Sequence, residues 1–165
     1  MKRAIRYMLS AVALVLFLPV CPVHGAQPSD VTTIPKLLDQ VRQHAAQANR
    51  DGAILESYTY SPIDFRMYAQ TLTNLKAHVQ NMFRGYYQLQ QMRDRGTPAQ
   101  QEAIDRLDPL LREVATSLTN TIQELNAEQG RVNMPGFRAR VHSNTQKINA
   151  VFEFLCKCTN KNVKI

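Results

Sequence analysis

The chain has 165 residues, 44% of them hydrophobic, with 20 Lys and Arg against 13 Asp and Glu. That length fits one domain, which at this size buries about two-thirds of its unfolded surface. The formal charge of +7 is spread along the chain, whereas a nucleic-acid footprint needs bases clustered on one face, so no nucleic-acid partner is expected.

The chain opens with Lys2, Arg3 and Arg6, followed by an apolar run from Met8 to Val20 and by Val23-His24-Gly25. A basic start, a short apolar core and small residues before a cut are the layout of a secretory signal peptide, here residues 1–25. The apolar core is too short to span a bilayer, so no stable membrane span is expected after cleavage. Val20 before Cys21 argues against a lipid-anchored reading. Cleavage leaves 17 Lys and Arg against 13 Asp and Glu, a net charge of +4. The expected location is the periplasm or the extracellular medium.

Residues 26–33 are polar and turn-rich and read as a flexible segment. Leu38, Val41, Ala45, Ala48, Gly52 and Leu55 then recur at steps of three and four, predicting a helix from about Pro35 to Ser57. Its central seam residues are small, which invites a close neighbour.

The longest seam runs through Phe65, Tyr68, Leu72, Leu75, Val79, Met82, Tyr86 and Leu89, within the stretch from Ser61 to Arg95. Such a heptad pattern belongs to a helix laid along partners at a shallow angle. Ser61 is expected to cap it, with Pro62 at its first position and Asp64 in its first turn. At 1.5 Å per residue that helix would be roughly 50 Å long, so the chain must supply helices to match.

Gly96 ends this helix, and Thr97-Pro98-Ala99-Gln100 has the form of a capping box for the next. The third seam is Ile104, Leu107, Leu111, Val114, Leu118, Thr121 and Leu125, with Glu102–Arg106 and Asp108–Arg112 as i,i+4 pairs on a solvated face. Pro109 is expected to kink this helix without ending it, and Gly130 to close it. A fourth helix from near Asn133-Met134-Pro135 carries Phe137, Val141, Asn144, Ile148, Val151 and Leu155. Residues 34–158 therefore predict an all-α, antiparallel up-down-up-down four-helix bundle with coiled-coil-like heptad packing, and residues 159–165 a polar tail.

Leu55-Glu56-Ser57-Tyr58-Thr59, Leu75-Lys76-Ala77-His78-Val79, Ala103-Ile104-Asp105-Arg106-Leu107 with Pro109-Leu110-Leu111, and Leu125-Asn126-Ala127-Glu128 with Arg131 before Pro135 form an ordered series. In it the chain resembles an uncharacterised family of exported bacterial all-helical proteins of unknown function. The resemblance covers roughly residues 35–154. The apolar, thiol-bearing Phe154-Leu155-Cys156-Lys157-Cys158 departs from the charged helix of that family. The resemblance implies a helical fold and export, and no activity.

Four constellations remain. His44 and His78 each stand one residue before a core position, and reflection through the Tyr58–Tyr60 joint places them about one turn apart. Two imidazoles so placed could ligate a transition metal, although no further ligand completes the set. A haem carrier is the sharper version of this alternative, but there is no C-x-x-C-H and no Met in the mature first helix. Cys156 and Cys158 lie two apart on a helix, too poorly aimed to bridge each other, and an intermolecular disulfide is the better functional use.

Phe83 and Tyr87 widen the apolar stripe of the long helix and offer an interaction surface. Neither a phosphate loop, nor H-E-x-x-H, nor a nucleophile elbow occurs. The expectation is thus a binding or scaffolding module, not an enzyme and without a cofactor. Its partner would be an envelope protein or a second copy of the chain.

Overall fold

The computed structural model describes residues 33–61, 63–127, 132 and 134–161. The signal peptide, most of the segment 26–33, Pro62, Gly130, Asn133 and the end of the tail lie outside the described residues. Among the described residues there are four α-helices: α1 (Ile34–Tyr58), α2 (Phe65–Met92), α3 (Pro98–Ala127) and α4 (Pro135–Lys161). They pack against one another as an all-α four-helix bundle, as the seams require.

Most seam positions are buried, but Phe65 at the head of the α2 seam is only half-buried, because it stands in the first turn beyond the close packing. Leu38, Val41, Ala45, Ala48 and Leu55 of α1 meet Tyr68, Leu72, Leu75, Val79, Met82 and Leu89 of α2 in one core with Ile104, Leu107 and Leu111 of α3 and Phe137, Val141 and Ile148 of α4. Each side chain of this size stabilises the fold by about 1.5–3 kcal/mol when removed from water. The core is not purely apolar. Asn144 of α4 donates to the Thr121 hydroxyl at 2.7 Å and accepts from the Ser117 hydroxyl, while Thr121 donates to the Ser117 carbonyl at 3.1 Å. This buried node ties α4 to α3 at one register, since an axial slip would leave the amide without partners.

The start of α2 differs from the expected one. Asp64, not Ser61, is the cap, and its carboxylate accepts from the Arg66 N–H at 2.9 Å. Ser61 belongs instead to the turn that closes α1, where its N–H donates to the Tyr58 carbonyl at 3.1 Å. A carboxylate two residues before the second helical N–H is a strong acceptor, and the helix starts where it can be used. At the other end α2 tightens into a single 3-10 turn, Arg93–Arg95. Its 28 residues span about 42 Å, a turn or more short of the expected length.

The remaining joints follow the sequence closely. Thr97 and Gln100 form the reciprocal capping box, with Thr97 N–H on the Gln100 amide oxygen at 2.9 Å and Gln100 N–H on the Thr97 hydroxyl at 3.3 Å. α3 is continuous through Pro109, whose ring lies on the exposed face where the donor it lacks is least missed. α4 runs through Thr159 to Lys161, beyond the boundary at 158. The reason is local: the Thr159 hydroxyl donates to the Leu155 carbonyl at 3.0 Å and folds a polar side chain back onto the helix.

α1 is the most closely held helix. A Cβ on Gly85 of α2 would collide with Val41 Cγ2, and one on Gly52 would stand 3.3 Å from the Thr145 hydroxyl of α4. With Ala45 and Ala48 fully buried between these points, α2 and α4 approach its backbone on both sides. At the joint end, Arg138 of α4 donates to the Thr59 carbonyl at 2.9 Å and lies 4.4 Å over the Tyr60 ring. The Tyr68 hydroxyl donates to the Tyr58 carbonyl at 2.5 Å, so the turn between α1 and α2 is held from two helices.

Candidate functional site

On α2, Lys76, Gln80, Phe83 and Tyr87 are spaced by four, three and four, which aligns them as one stripe beside the seam. Facing them, α3 presents Ala115, Leu118, Thr119, Ile122 and Gln123. Between the two helices lies a groove of about 270 Å³ floored by Val79, Phe83, Ala115, Leu118 and Ile122. Its physical origin is the side-chain size on the α3 flank. Ala115 and Thr119 are too short to reach across, so Phe83 and Ile122 stay half-buried instead of meeting core neighbours on all sides. Among the described residues of the lining, Lys76 is the one that carries a charge.

Tyr87 extends this apolar strip beyond the groove. It is 57% exposed, stands 6.1 Å from the Phe83 ring and 5.6 Å from Tyr86. Tyr86 itself is buried, its hydroxyl accepting from the Gln90 amide at 2.6 Å, and burial pushes that phenol above its ordinary value. An exposed aromatic fixed on a half-buried one is a rigid anchor, of the kind enriched where proteins meet. No family model, curated protein or solved structure matches this chain.

The two histidines come together as the reflection through the joint requires. The His44 and His78 rings are 5.9 Å apart and tilted by 35°. Asp51 joins them, with one carboxylate oxygen 3.5 Å from His78 Nε2. The sequence carried a signal for this third member, because Asp51 stands one heptad after His44 and so shares its face. Among the described residues no group of three or more His, Cys, Asp or Glu is arranged to hold a metal ion. His142 points outward, 54% exposed in its side chain, with Nδ1 at 2.7 Å from Glu56 and Nε2 at 2.9 Å from the Gln146 amide.

The two cysteines diverge. Cys156 faces the Arg42 guanidinium on α1, whereas Cys158 lines a second groove of about 460 Å³ between α3 and α4. Both are half-buried and no disulfide joins them. The second groove is of mixed character: Leu38, Leu110 and Phe154 form apolar wall, Arg106 lies 5.2 Å over the Phe154 ring, and Glu102, Glu153 and Lys157 stand around it.

Most acids on the surface are committed to basic partners. Arg93 grips Asp105 with two bonds of 2.7 and 2.6 Å, which holds the Asp105 carboxyl below the usual carboxylate range. Arg112 holds Asp108 by one bond of 2.7 Å and lowers that carboxyl likewise, and Arg140 reaches Glu124 at 2.5 Å. Glu102–Arg106 stands at 3.6 Å on the solvated face. The Arg93–Asp105 pair was not foreseen, since it crosses from the end of α2 to α3 and has no helical spacing to announce it.

Proposed function

We propose that this chain is an exported helical module that works by binding, and that it takes a helix of a protein partner into the groove between α2 and α3. The observation that carries this reading is the groove itself: an apolar trough between two helices, continued by the exposed Tyr87. Helix packing explains the fit. A trough flanked by stripes at three- and four-residue spacing accepts the apolar ridge of another helix, as a bundle accepts its next member. Lys76 at the rim would favour an acidic residue on the incoming helix.

Export is supported by the sequence of residues 1–25 alone, with Ala26 as the expected first residue of the mature protein. A role without chemistry of its own is supported by the many carboxylates paired with arginine, where a catalytic centre would converge them. A metal- or haem-carrying reading based on His44 and His78 would need ligands beyond Asp51, and none stands beside them among the described residues.

The test is photo-crosslinking in the native compartment. A photoreactive residue at Gln80 is expected to give one discrete adduct, and Phe83→Asp should abolish that adduct while the helical circular dichroism is kept. An adduct of twice the chain mass would identify the partner as a second copy. An adduct indifferent to Phe83→Asp would remove the groove from the reading.

A further inference from the structure

Along one flank, α1 and α2 meet through imidazoles instead of aliphatic side chains. His44 and His78 face one another at 5.9 Å. The Nδ1 atoms of both rings are sealed from solvent, and neither has a hydrogen-bond partner among the described residues. That arrangement is bearable only while the rings are neutral. A neutral imidazole can leave a bare lone pair at the sealed nitrogen, with its proton on the other one. A charged imidazole has an N–H at both nitrogens. Whichever tautomer the neutral ring adopts, the charged ring places a donor at sealed Nδ1 with nothing to accept it, and a buried unsatisfied donor is strongly disfavoured.

The charges around the pair add to this asymmetry. The groups that act on His78 are Asp51, His44 and Arg50, all on α1. Asp51, at 3.5 Å from Nε2, can balance one imidazolium. It cannot balance two, and Arg50 works against a charge on His78.

We propose that the His44–His78 pair is an acid-sensitive latch on the α1–α2 seam: closed while both rings are neutral, and forced open along this flank when both take up protons. Burial holds the His78 imidazole below its ordinary value, with Asp51 pulling it up and His44 and Arg50 pushing it further down. The direction of the pH effect follows. With the folded-state value below that of the unfolded chain, the contribution to stability is complete above about pH 6.5. It is lost as the pH falls from there through the folded-state value, because the unfolded chain binds the proton first.

The latch is testable by urea unfolding of the purified protein at pH 7.5 and 5.5. The wild-type midpoint is expected to fall with acidification, and to fall much less in the variant carrying both His44→Gln and His78→Gln. His142→Gln should retain the wild-type dependence, as its ring is outside the pair. Asp51→Asn should make the acid loss steeper. If the double variant loses as much as wild type between the two pH values, the latch is overturned. Should that variant fail to fold, imidazole proton resonances of the wild type decide. One ring of the pair titrating below a free histidine supports the latch, and both titrating together at the free value overturns it.

Discussion

Thr145 on α4 donates its hydroxyl to the carbonyl of Gly52 on α1 across 3.2 Å, and also to the Val141 carbonyl of its own helix at 3.1 Å. The first of these bonds crosses the bundle because position 52 carries no side chain. A Cβ there would press on the same hydroxyl at 3.3 Å. Gly52→Ala would then gain about 1 kcal/mol of helix propensity and lose a shared hydrogen bond of about the same size. The expected change in urea-unfolding free energy is therefore close to zero, with Thr145→Ala/Gly52→Ala more stable than Thr145→Ala alone.

Gly85 is the opposite case. Its missing Cβ is occupied by Val41 Cγ2, and a valine stiff at χ1 on a buried helix face has nowhere to turn. Overpacking of about 1–3 kcal/mol outweighs the propensity gain. Gly85→Ala should lower the unfolding free energy, and adding Val41→Ala should restore part of the loss by vacating the space.

Asn144 offers a test of what the polar node is for. Asn144→Leu leaves the Thr121 hydroxyl without the donor that reaches it at 2.7 Å, at a cost of about 1–3 kcal/mol. Thr121→Val in the same chain removes one of the two hydroxyls so affected, the other being that of Ser117, and should return part of the stability. The double variant should also show more than one arrangement of α4 against α3 in its NMR spectrum, since the node is what marks the register.

Arg138 joins α4 to the turn between α1 and α2 through the Thr59 carbonyl and the Tyr60 ring. Arg138→Ala should cost about 2 kcal/mol. Limited proteolysis is the more telling readout: cleavage should concentrate at residues 59–61, the segment this guanidinium holds down.

The groove between α2 and α3 can be filled from within. Ala115→Leu places an apolar side chain over Phe83 and Ile122, which should raise stability by about 0.5–2 kcal/mol in thermal unfolding. The same change should abolish the crosslink from Gln80. A variant that is more stable yet binds less separates docking from folding.

Much of this fold was legible from periodicity, because a heptad seam names its own buried positions: Tyr68, Leu72, Leu75, Val79, Met82 and Leu89 are all in the core. The histidine pair was legible too, once the joint was used as a mirror. Where the reading went astray, two local signals competed. Ser61-Pro62 has the form of a helix start, but Asp64 two residues later holds the better acceptor, and α2 begins there. The groove was not legible at all. It depends on how α3 is rotated against α2, which decides that short Ala115 and Thr119 face Phe83, and a periodic pattern on one helix does not contain that angle. The same holds for Arg93 and Asp105, brought together only by the turn between their helices.

The small residues of α1 have a consequence for motion. Ala45, Ala48 and Gly52 let α2 and α4 close tightly on α1, whereas α3 is bordered by a groove on either side. Amide hydrogen exchange should therefore be layered, with protons of α1 and the facing turns of α2 and α4 exchanging only on global unfolding, and those of α3 released earlier through partial opening. A ligand seated beside α3 would slow that earlier class selectively. Its footprint would then be readable in exchange rates before its identity is known.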